Sequence, residues 1–515
     1  MIRGLVPWKP TPRPRKATPA RRSYTGALPN RLTDDWLAPL ISANKAIEGN
    51  LQTLRGRARA LVRNNPHAAA AVRLFQDNVA GPTGMTLQAE VAFSNGNLRR
   101  PLNDQIESAW RTFCEPSEWS VDGRLSSADF QRLVVANWLV DGEVLIRRRR
   151  GWRNRFGYAL ELLDPDQLDE TYQRAPSATD NEIRYGVELD ADHRPVAYHI
   201  LKVHPSESSS IGRQRVRVPA ADILHVYLQQ RPGQIRGVPL FAPVMVRLHM
   251  LDGFEEASLV AARAAATNPI MFEQDAEVYA APENGAAQED VEIEMEPGVS
   301  RLLPPGVKAA MLSPEHPTTT FTEFDKAMLR AIAGGLGVAY TSLTQDLTDV
   351  NYSSIRAGLL AERDVWRGLQ EWFASHLLTP IYRDWLGHAY LANQVSLPTG
   401  DVRLWTAARF EGRGWSWVDP MNDVQAAELE IALGLNTRTA LSRERGRDFE
   451  AMARQLAEEQ QIAAEWGVDV EGVAVKRASK QENGNGGTTG NGESAADASN
   501  AAARAERVRL VRRLG

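Results

Sequence analysis

Apolar side chains recur at helical spacing through the first part of the chain. In residues 53–79 they lie three to four positions apart, and the helix restarts across Pro66, which interrupts it. The same spacing predicts helices over residues 103–114 and 126–140, with a serine capping the last of them. After the first helix, the stretch GPTGMTLQAEV ends the helical pattern and opens a strand.

The pattern changes to short β-rich runs from about residue 143 to about residue 228. Turn residues separate five such runs, EVLIRRRR, GYALELLD, IRYGVELD, PVAYHILKV and ADILHVYL. Runs of this length and composition, bounded by turn residues, are typical of antiparallel strands. We therefore expect a β-rich region between the early helices and the rest of the chain.

Long helical segments return in the second half. Residues 240–267 predict one long helix or two abutting ones, and residues 321–336 predict another that ends at a group of glycines. A polar loop is predicted at residues 338–352. A strong amphipathic helix follows at about residues 353–380, and residues 420–465 are again helical. The apolar side of the amphipathic helix comprises Ile355, Leu359, Trp366, Leu369, Phe373 and Leu377.

Composition agrees with a globular protein of mixed class. The chain has 515 residues, of which 43% are hydrophobic and 24% are charged. At roughly 150 residues per domain, this length suggests about three domains plus tails, and it allows a sizeable core. The predicted fold class is α+β: a mostly helical subunit with a β-rich region over residues 143–228.

Charge is unevenly spread, although the net charge is only −4. Residues 1–63 carry 13 lysines and arginines against three acids, a net of +10, and residues 273–296 carry nine acids and no lysine or arginine, a net of −9. We expect a basic flexible arm at residues 1–50 and a low-complexity tail with a basic end at residues 471–515. This asymmetry is typical of segments with different partners, and it differs from a protein that coats DNA with one basic face.

Motifs of common enzymes are missing from the sequence. It lacks a phosphate-binding loop with its lysine, a dinucleotide-binding glycine pattern, a hydrolase nucleophile elbow and a zinc-protease helix. The one cysteine, Cys114, excludes an intrachain disulfide and is interpreted as an inert thiol in a protein made in a reducing cytosol. No apolar run reaches the roughly 20 residues of a membrane span, and no signal peptide is recognised. We expect a soluble, non-enzymatic protein with no catalytic residues, cofactor, metal or membrane partner.

One acidic cluster, Asp164, Asp166 and Asp169, leaves an enzymatic alternative open. Paired carboxylates can hold Mg²⁺, as they do in nucleases. Asp-Pro and Asp-Gln are also frequent turn starts, and we favour the turn. A metal-dependent DNA-processing enzyme would show Mg²⁺-dependent cleavage that is lost in Asp166→Ala.

The first β-rich run contains four consecutive arginines, Arg147, Arg148, Arg149 and Arg150. Alternation along a strand sends neighbouring side chains to opposite faces, so the run does not form one flat basic surface. Three interpretations stay open: a phosphate-binding patch, a solvated hairpin, or an ion-pair region between subunits.

Four stretches, in order along the chain, resemble the portal proteins of tailed phages, specifically the lambda-type portal family. They are RGRARALVRNNPHAAAAVRLFQDNVAGPTGMTLQ (residues 55–88), ILHVYLQQRPGQIRGVPLFAPVMVRLHMLDGFEEASLVAARAAA (223–266), GLGVAYTSLTQDLTDVNYSSIRAGLLAERDVW (335–366) and WVDPMNDVQAAELEIALGLNTR (417–438). The resemblance covers about residues 50–450. The two tails and the acidic stretch fall outside it.

The resemblance implies a homo-oligomeric ring, usually of twelve subunits, at one vertex of the capsid. Double-stranded DNA would be packaged and ejected through it without sequence-specific contacts. The implied protein partners are the terminase large subunit, major capsid or scaffold proteins and head–tail connector proteins. The implied location is the virion, after assembly in the host cytoplasm. A non-portal capsid scaffold or adaptor is a further alternative.

Motif order also implies the regions of the subunit. These are a wing at residues 51–235, stem helices at 236–267 and 319–337, a small α/β clip at 268–318 with its acidic loop at 273–296, a tunnel loop at 338–352, a long helix returning to the wing at 353–414, and a helical crown at 415–470.

The tunnel loop would line the DNA channel. Its predicted channel-lining residues are Thr344, Gln345, Asp346, Thr348, Asp349 and Asn351. The loop contains no lysine or arginine. Because cationic contacts to phosphates add up to tight binding, this composition suits DNA that slides. An ordinary solvated loop has the same composition.

Overall fold

A computed structural model describes eight stretches of the chain. They are residues 39–207, 214–266, 270–274, 307–311, 320–348, 351–398, 401–416 and 419–466. The chain divides into two compact units, Met1–Gly446 and Arg447–Gly515. The second unit contributes one described helix, Phe449–Trp466.

Fourteen α-helices lie within the described stretches. In chain order they are α1 (Ala43–Ile47), α2 (Leu51–Asn64), α3 (Pro66–Phe75), α4 (Arg100–Phe113), α5 (Pro116–Trp119), α6 (Ser127–Asp141), α7 (Met245–Ala266), α8 (Thr320–Leu336), α9 (Tyr340–Thr344), α10 (Tyr352–Phe373), α11 (Thr379–Leu391), α12 (Pro420–Ala432), α13 (Arg438–Glu444) and α14 (Phe449–Trp466). Two π-helical turns, Gln76–Ala80 and Ala374–Leu378, extend α3 and join α10 to α11. Within the described part of the chain, none of the helices has the length and apolarity that crossing a bilayer requires.

Eleven short strands accompany these helices in the same stretches. They are β1 (Thr86–Ala89), β2 (Glu143–Arg150), β3 (Tyr158–Leu163), β4 (Glu182–Arg184), β5 (Val187–Leu189), β6 (Pro195–Leu201), β7 (Arg215–Pro219), β8 (Ile223–Tyr227), β9 (Ile270–Gln274), β10 (Val307–Met311) and β11 (Ala408–Glu411). They pair antiparallel, in sheets ordered β3-β2-β8 and β4-β5-β6-β7 and in the ladders β1-β11 and β9-β10. Small antiparallel sheets among many helices confirm the predicted α+β class.

The β-rich prediction for residues 143–228 is confirmed, with one correction. The run IRYGVELD, predicted as a single strand, is the hairpin formed by β4 and β5. Its two-residue turn places Tyr185 at φ 51° and Gly186 at φ 81°. A Cβ on Gly186 would lie 2.7 Å from the carbonyl oxygen of Asp169. Two consecutive positive φ angles give the turn that matches strand twist, so the chain reverses there.

Capping residues set where the early helices begin. Asn65 is extended, and its side-chain oxygen accepts hydrogen bonds from the backbone N–H groups of His67 and Ala68 at 3.0 Å each. Ser126 and Asp129 form a reciprocal capping box at the start of α6. The predicted restart across the proline and the predicted serine cap are therefore confirmed.

Aromatic side chains fill much of the core of the first unit. Trp110 lies against Trp385 with ring centroids 4.9 Å apart and against Trp119 at 5.6 Å, and Phe75 meets Trp366 edge-on at 4.8 Å. The first contacts join α4, α5 and α11, and the last joins α3 to α10. Edge-to-face packing is a favourable geometry for such rings, so these contacts fix the angles between the helices.

The two long helices of the second half match their predictions except at one end. α7 begins at Met245 rather than at residue 240, since Pro243 is tolerated only before the helix or in its first turn. α8 ends at Leu336, and Gly337 follows at φ 74°, as the glycine group predicted. Within the predicted clip, Val307–Met311 forms β10. Most of the predicted clip, including SRLLPPG and the acidic stretch after Gln274, lies outside the described residues.

A buried ionic cluster joins α2 to the β-rich region. Its centre is the carboxylate of Glu143, which is fully buried and pairs with the guanidinium groups of Arg55 and Arg236. It also accepts a hydrogen bond from the backbone N–H of Gly237 at 2.7 Å and lies 3.0 Å from Nε2 of His225. Burial alone would raise the pKa of Glu143, but the charges of the two arginines and the histidine hydrogen bond hold it well below its ordinary value.

Two glycines let the backbone segments beside this cluster touch. A Cβ on Gly142 would lie 2.2 Å from the carbonyl carbon of Val238, and a Cβ on Gly237 would lie 2.1 Å from the carbonyl oxygen of Gly142. No other residue type fits either position without a backbone shift. The end of α6 and the segment that leads into α7 are therefore locked together at the buried charge.

We predict that Glu143→Gln lowers the free energy of unfolding by about 3–5 kcal/mol, because two buried arginines lose their compensating charge. The matched control is Asp222→Asn, which breaks the half-exposed pair with Arg150 and should cost about 1 kcal/mol or less. Urea titration measures both.

The same variant tests the pH dependence. Since the pKa of Glu143 is lowered in the folded state, its stabilisation is complete above the ordinary pKa of about 4.5 and is lost as pH falls below it. The parent chain should therefore lose stability below pH 4.5 more steeply than Glu143→Gln. Equal slopes of stability against pH, or equal losses of unfolding free energy in Glu143→Gln and Asp222→Asn, would contradict this role. The buried ion pairs of Glu143 would then not hold α2 against the β-rich region.

Candidate functional site between α8 and α10

The segment predicted as a polar loop lies between α8 and α10, and its described residues are 338–348, 351 and 352. It contains the helix α9, so the loop prediction for residues 338–352 is wrong for Tyr340–Thr344. Leu343 of this helix is buried. α9 ends at Gln345, which takes the left-handed conformation at φ 57°. Polar composition suggested a solvated loop, but one apolar side chain and fixed hydrogen bonds are enough to order this segment.

Glu362 of α10 holds the beginning of α9. Its side chain is buried and accepts hydrogen bonds from the backbone N–H of Ala339 at 3.0 Å and from the hydroxyl of Ser342 at 2.5 Å. A carboxylate at this place satisfies the free N–H groups of a helix start and favours its positive dipole end. The sequence reasoning missed Glu362. Its signal was a glutamate at the position, between Leu359 and Trp366, where the apolar side of α10 would otherwise continue.

Asp346 holds the turn that follows α9. Its carboxylate accepts hydrogen bonds from the Tyr340 hydroxyl at 2.8 Å and from the hydroxyl and backbone N–H of Thr348 at 2.6 and 2.9 Å. The ammonium group of Lys326, on α8, lies 3.5 Å from it. These hydrogen bonds, those from Thr348 above all, lower the pKa of Asp346. The carboxylate is therefore used within the chain, as a fastening point for α8, α9 and the turn that follows.

The remaining predicted channel-lining residues have different roles within the chain. Thr344 donates to the carbonyl of Tyr340 at 2.9 Å, and Asn351 caps α10 by accepting from the N–H of Ser354 at 2.8 Å. Asp349 lies outside the described residues. Gln345 and Thr348 are exposed, as is Leu347 between them and Asp349. The exposed surface of the described connection is thus uncharged at these three positions.

The four arginines of β2 are mostly paired within the chain. Arg148 and Arg150 approach the carboxylate of Asp384 on α11 at 3.9 and 3.0 Å, and Arg149 approaches Glu161 on the neighbouring strand at 3.3 Å. Arg150 also pairs with Asp222, while Arg147 forms no ion pair with a described residue. Three of the four positive charges are already compensated inside one subunit. This arrangement leaves little uncompensated charge for a phosphate-binding patch.

The acidic cluster predicted as an alternative metal site is only partly assembled. Asp164 and Asp166 lie with His204 in a group whose possible ligand atoms are all within 4.8 Å of one another. Asp169 is apart from them, 3.1 Å from Nε of Arg215. His204 follows the end of β6.

Two guanidinium groups already pair with these carboxylates. Arg59 lies 2.6 Å from Asp166 and 3.0 Å from Asp164, and Arg55 lies 3.1 Å from Asp166. Burial would raise the pKa of Asp166, but these two arginines lower it overall. The carboxylates therefore belong to the same ion-pair network as Glu143, through Arg55. Asp164 also caps the 3₁₀ turn at Pro165–Gln167, which confirms the turn interpretation.

Comparison with known proteins decides the family. The family model described as "Phage portal protein, lambda family" matches residues 29–370. The chain is 32% identical over 466 residues to a "Probable portal protein" of Halomonas phage phiHAP-1, a match that covers 89% of this chain and 90% of the relative. The chain belongs to the lambda family of phage portal proteins.

Other members are more distant. Portal protein B of Escherichia phage lambda is 24% identical over 471 residues, covering 82% of this portal chain and 86% of the relative. Among solved structures, an HK97-family phage portal protein from Corynebacterium diphtheriae is 13% identical, covers 67% of this chain and 99% of that chain, and superimposes with a TM-score of 0.35. The predicted resemblance to lambda-type portal proteins is thus confirmed by the family match.

We predict that Glu362→Gln loosens the connection without unfolding the subunit. A neutral amide binds the start of α9 less strongly than a carboxylate, so backbone amides of residues 339–344 should exchange hydrogen about five to thirty times faster. Glu371→Gln, an exposed glutamate on the same helix, is the matched control. Hydrogen-exchange mass spectrometry reads both. Unchanged protection in Glu362→Gln would mean that α9 is held by packing alone.

Proposed function

We propose that this portal chain is the subunit of a closed ring through which double-stranded DNA enters and leaves a capsid. The observation that carries the proposal is the family match. The family model covers the first three of the four stretches that suggested the family. The alignment to the phiHAP-1 relative, which covers 89% of the chain, includes the fourth. The ring, usually of twelve subunits in this family, would sit in the virion at one capsid vertex. It would be assembled in the host cytoplasm.

The regional assignment is part of the proposal. α7 and α8 would form the stem, the ladder β9-β10 the base of the clip, α2 to β8 the wing, and α12 to α14 the crown. The clip would meet the terminase large subunit during packaging and connector proteins afterwards, and the wing would meet major capsid or scaffold proteins. The antiparallel ladder that follows α7 and precedes α8 supports a clip inserted between two stem helices.

The connection between α8 and α10 is the proposed channel lining. A conduit must not grip DNA, and each cationic contact to a phosphate strengthens binding through counterion release. Lys326 is held at Asp346 and Thr348, and the guanidinium of Arg330 lies over the ring of Tyr340. The exposed side chains at Gln345, Leu347 and Thr348 carry no charge. This surface suits DNA that slides.

We also propose that the subunit catalyses no reaction of its own. The guanidinium groups of Arg55 and Arg59 neutralise the carboxylates that the nuclease alternative requires. The sequence also lacks a phosphate-binding loop with its lysine, so the energy for packaging would come from a separate motor.

The ring itself is the first test. Purified full-length protein should form annular particles in electron micrographs, and mass photometry should show a mass near a multiple of 57.0 kDa that corresponds to a closed ring. A protein that remains monomeric or dimeric under all salt conditions would overturn the proposal and favour the scaffold or adaptor alternative.

The channel lining is tested best at Gln345, because its side chain is exposed and carries none of the hydrogen bonds that order the connection. We predict that Gln345→Lys leaves rings intact and reduces the fraction of DNA-filled capsids, since each subunit adds a phosphate-binding cation. Gln345→Glu is the matched control and should package like the parent. Filled and empty particles are counted by electron microscopy. Equal packaging by the two variants would place the channel lining elsewhere.

A further inference from the structure

An open groove lies where the beginning of α4 meets the segment that follows α11. Its volume is about 380 Å³, and its lining includes residues from the first turns of α4 and residues 396–398. Leu102, Leu397 and Pro398 make much of this lining apolar. Concave, largely apolar surfaces with a few polar groups are the usual form of binding sites. The polar groups of the groove therefore decide what it binds.

Arg99 supplies the positive charge of this groove, which is called the Arg99 groove below. Its guanidinium lies 4.4 Å from the ring centroid of Phe93 and 4.9 Å from that of Trp405. Arg99 immediately precedes α4, and Trp405 ends the 3₁₀ turn at Val402–Trp405. Contacts between a guanidinium group and aromatic rings hold the plane of the guanidinium in place. The side chain is therefore oriented before any ligand arrives.

The hydrogen-bond donors of Arg99 are uncommitted. Within the described stretches its side chain forms no ion pair and no hydrogen bond, and its Nε atom is shielded from solvent without an acceptor. Nε1 of Trp405 is likewise shielded and unpaired. Shielded donors without an acceptor are rare, and each costs free energy. Two of them on side chains that touch each other point to an acceptor that a ligand would supply.

Exposed apolar side chains adjoin the charge. Phe93 is 49% exposed, Leu98, which precedes Arg99, is 43% exposed, and Leu404, which precedes Trp405, is 70% exposed. Among the described residues that line the groove, Arg99 is the one with a charge. A nucleic acid is held by several cations along its backbone. One oriented guanidinium among apolar side chains fits instead a carboxylate with apolar neighbours, as an acidic peptide presents it.

We propose that the Arg99 groove docks an extended segment of a partner protein that carries a carboxylate between large apolar side chains. The carboxylate accepts two parallel hydrogen bonds from the guanidinium, whose fixed plane suits this geometry. The flanking apolar side chains cover Phe93 and Leu397. None of the described residues of the groove belongs to the proposed channel lining, stem or clip, so this contact is additional to those of a DNA conduit.

Peptide selection on the purified full-length protein tests the chemistry of the ligand. A messenger-RNA display library of random heptapeptides is selected on the immobilised parent chain, and peptides that also bind Arg99→Gln are removed. We expect the surviving peptides to share an acidic residue with aromatic or aliphatic residues on both sides. No survivors, or survivors without an acidic residue, would overturn the proposal.

Fluorescence polarisation of one surviving peptide measures the contact itself. Arg99→Gln should weaken binding by on the order of tenfold or more, because a charge-assisted, bidentate contact is lost. Arg99→Lys keeps the charge without the planar fork and should recover only part of the affinity. Arg194→Gln, which removes an exposed arginine just before β6, is the matched control and should bind like the parent.

Two further measurements need no change in the protein. Replacing the acidic residue of the peptide by its amide should weaken binding to the parent as much as Arg99→Gln does, and an equal affinity of the two peptides would contradict a carboxylate contact. A duplex oligonucleotide should not displace the peptide from the parent chain. Displacement that is lost in Arg99→Gln would assign the groove to nucleic acid and overturn the proposal. Circular dichroism melting checks that each variant is folded.

Discussion

The fold of the first unit depends on one buried charge. Glu143 follows α6, begins β2 and has no access to water, so its carboxylate needs compensation within the protein. Arg55 brings α2 to it, and Arg236 brings the segment that leads into α7. Removing a charge from water costs several kcal/mol, which a well-bonded pair only offsets. The cluster therefore fixes geometry more than it adds net stability. It specifies where α2, both sheets and the start of α7 meet.

The position of the candidate channel segment follows from this junction. Gly142 and Gly237 leave no freedom between the end of α6 and the chain before α7, so the direction of α7 is set at its base. α8 packs along α7 from Val244 and Gly335 outwards. α10 is fixed separately through Trp366 against Phe75. Glu362 and Asp346 then tie α9 to α10 and to α8. Asp346 and Asn351, which the sequence suggested for contact with DNA, thus form hydrogen bonds that order this part of the chain.

Local features of the fold were predictable because they depend on neighbours in the chain. The cap at Asn65, the capping box at Ser126 and the glycine end of α8 all follow from residues within one helical turn. The pairing of β1 with β11 was not predictable, since Leu87 and Phe410 meet only through tertiary packing. The same limit applies to the ion pairs. Arginines on β2 were visible in the sequence, but their partner Asp384 lies on a distant helix. Asp164, Asp166 and Asp169 were predicted as one group because they are close in sequence, yet a tight turn separates the third from the first two.

Two demands on a DNA conduit conflict, and the segment between α8 and α10, as the proposed channel lining, would meet both. A channel lining must be rigid enough to keep its diameter, and hydrogen bonds to charged groups are the strongest local means of ordering a short segment. It must also avoid fixed positive charge, because phosphate contacts accumulate along DNA. In this chain Lys326 supplies order while Asp346 neutralises it, and the uncharged Gln345 and Thr348 remain on the surface. Charge reversal at Asp346 would therefore change shape and electrostatics together, whereas a change at Gln345 alters the electrostatics alone.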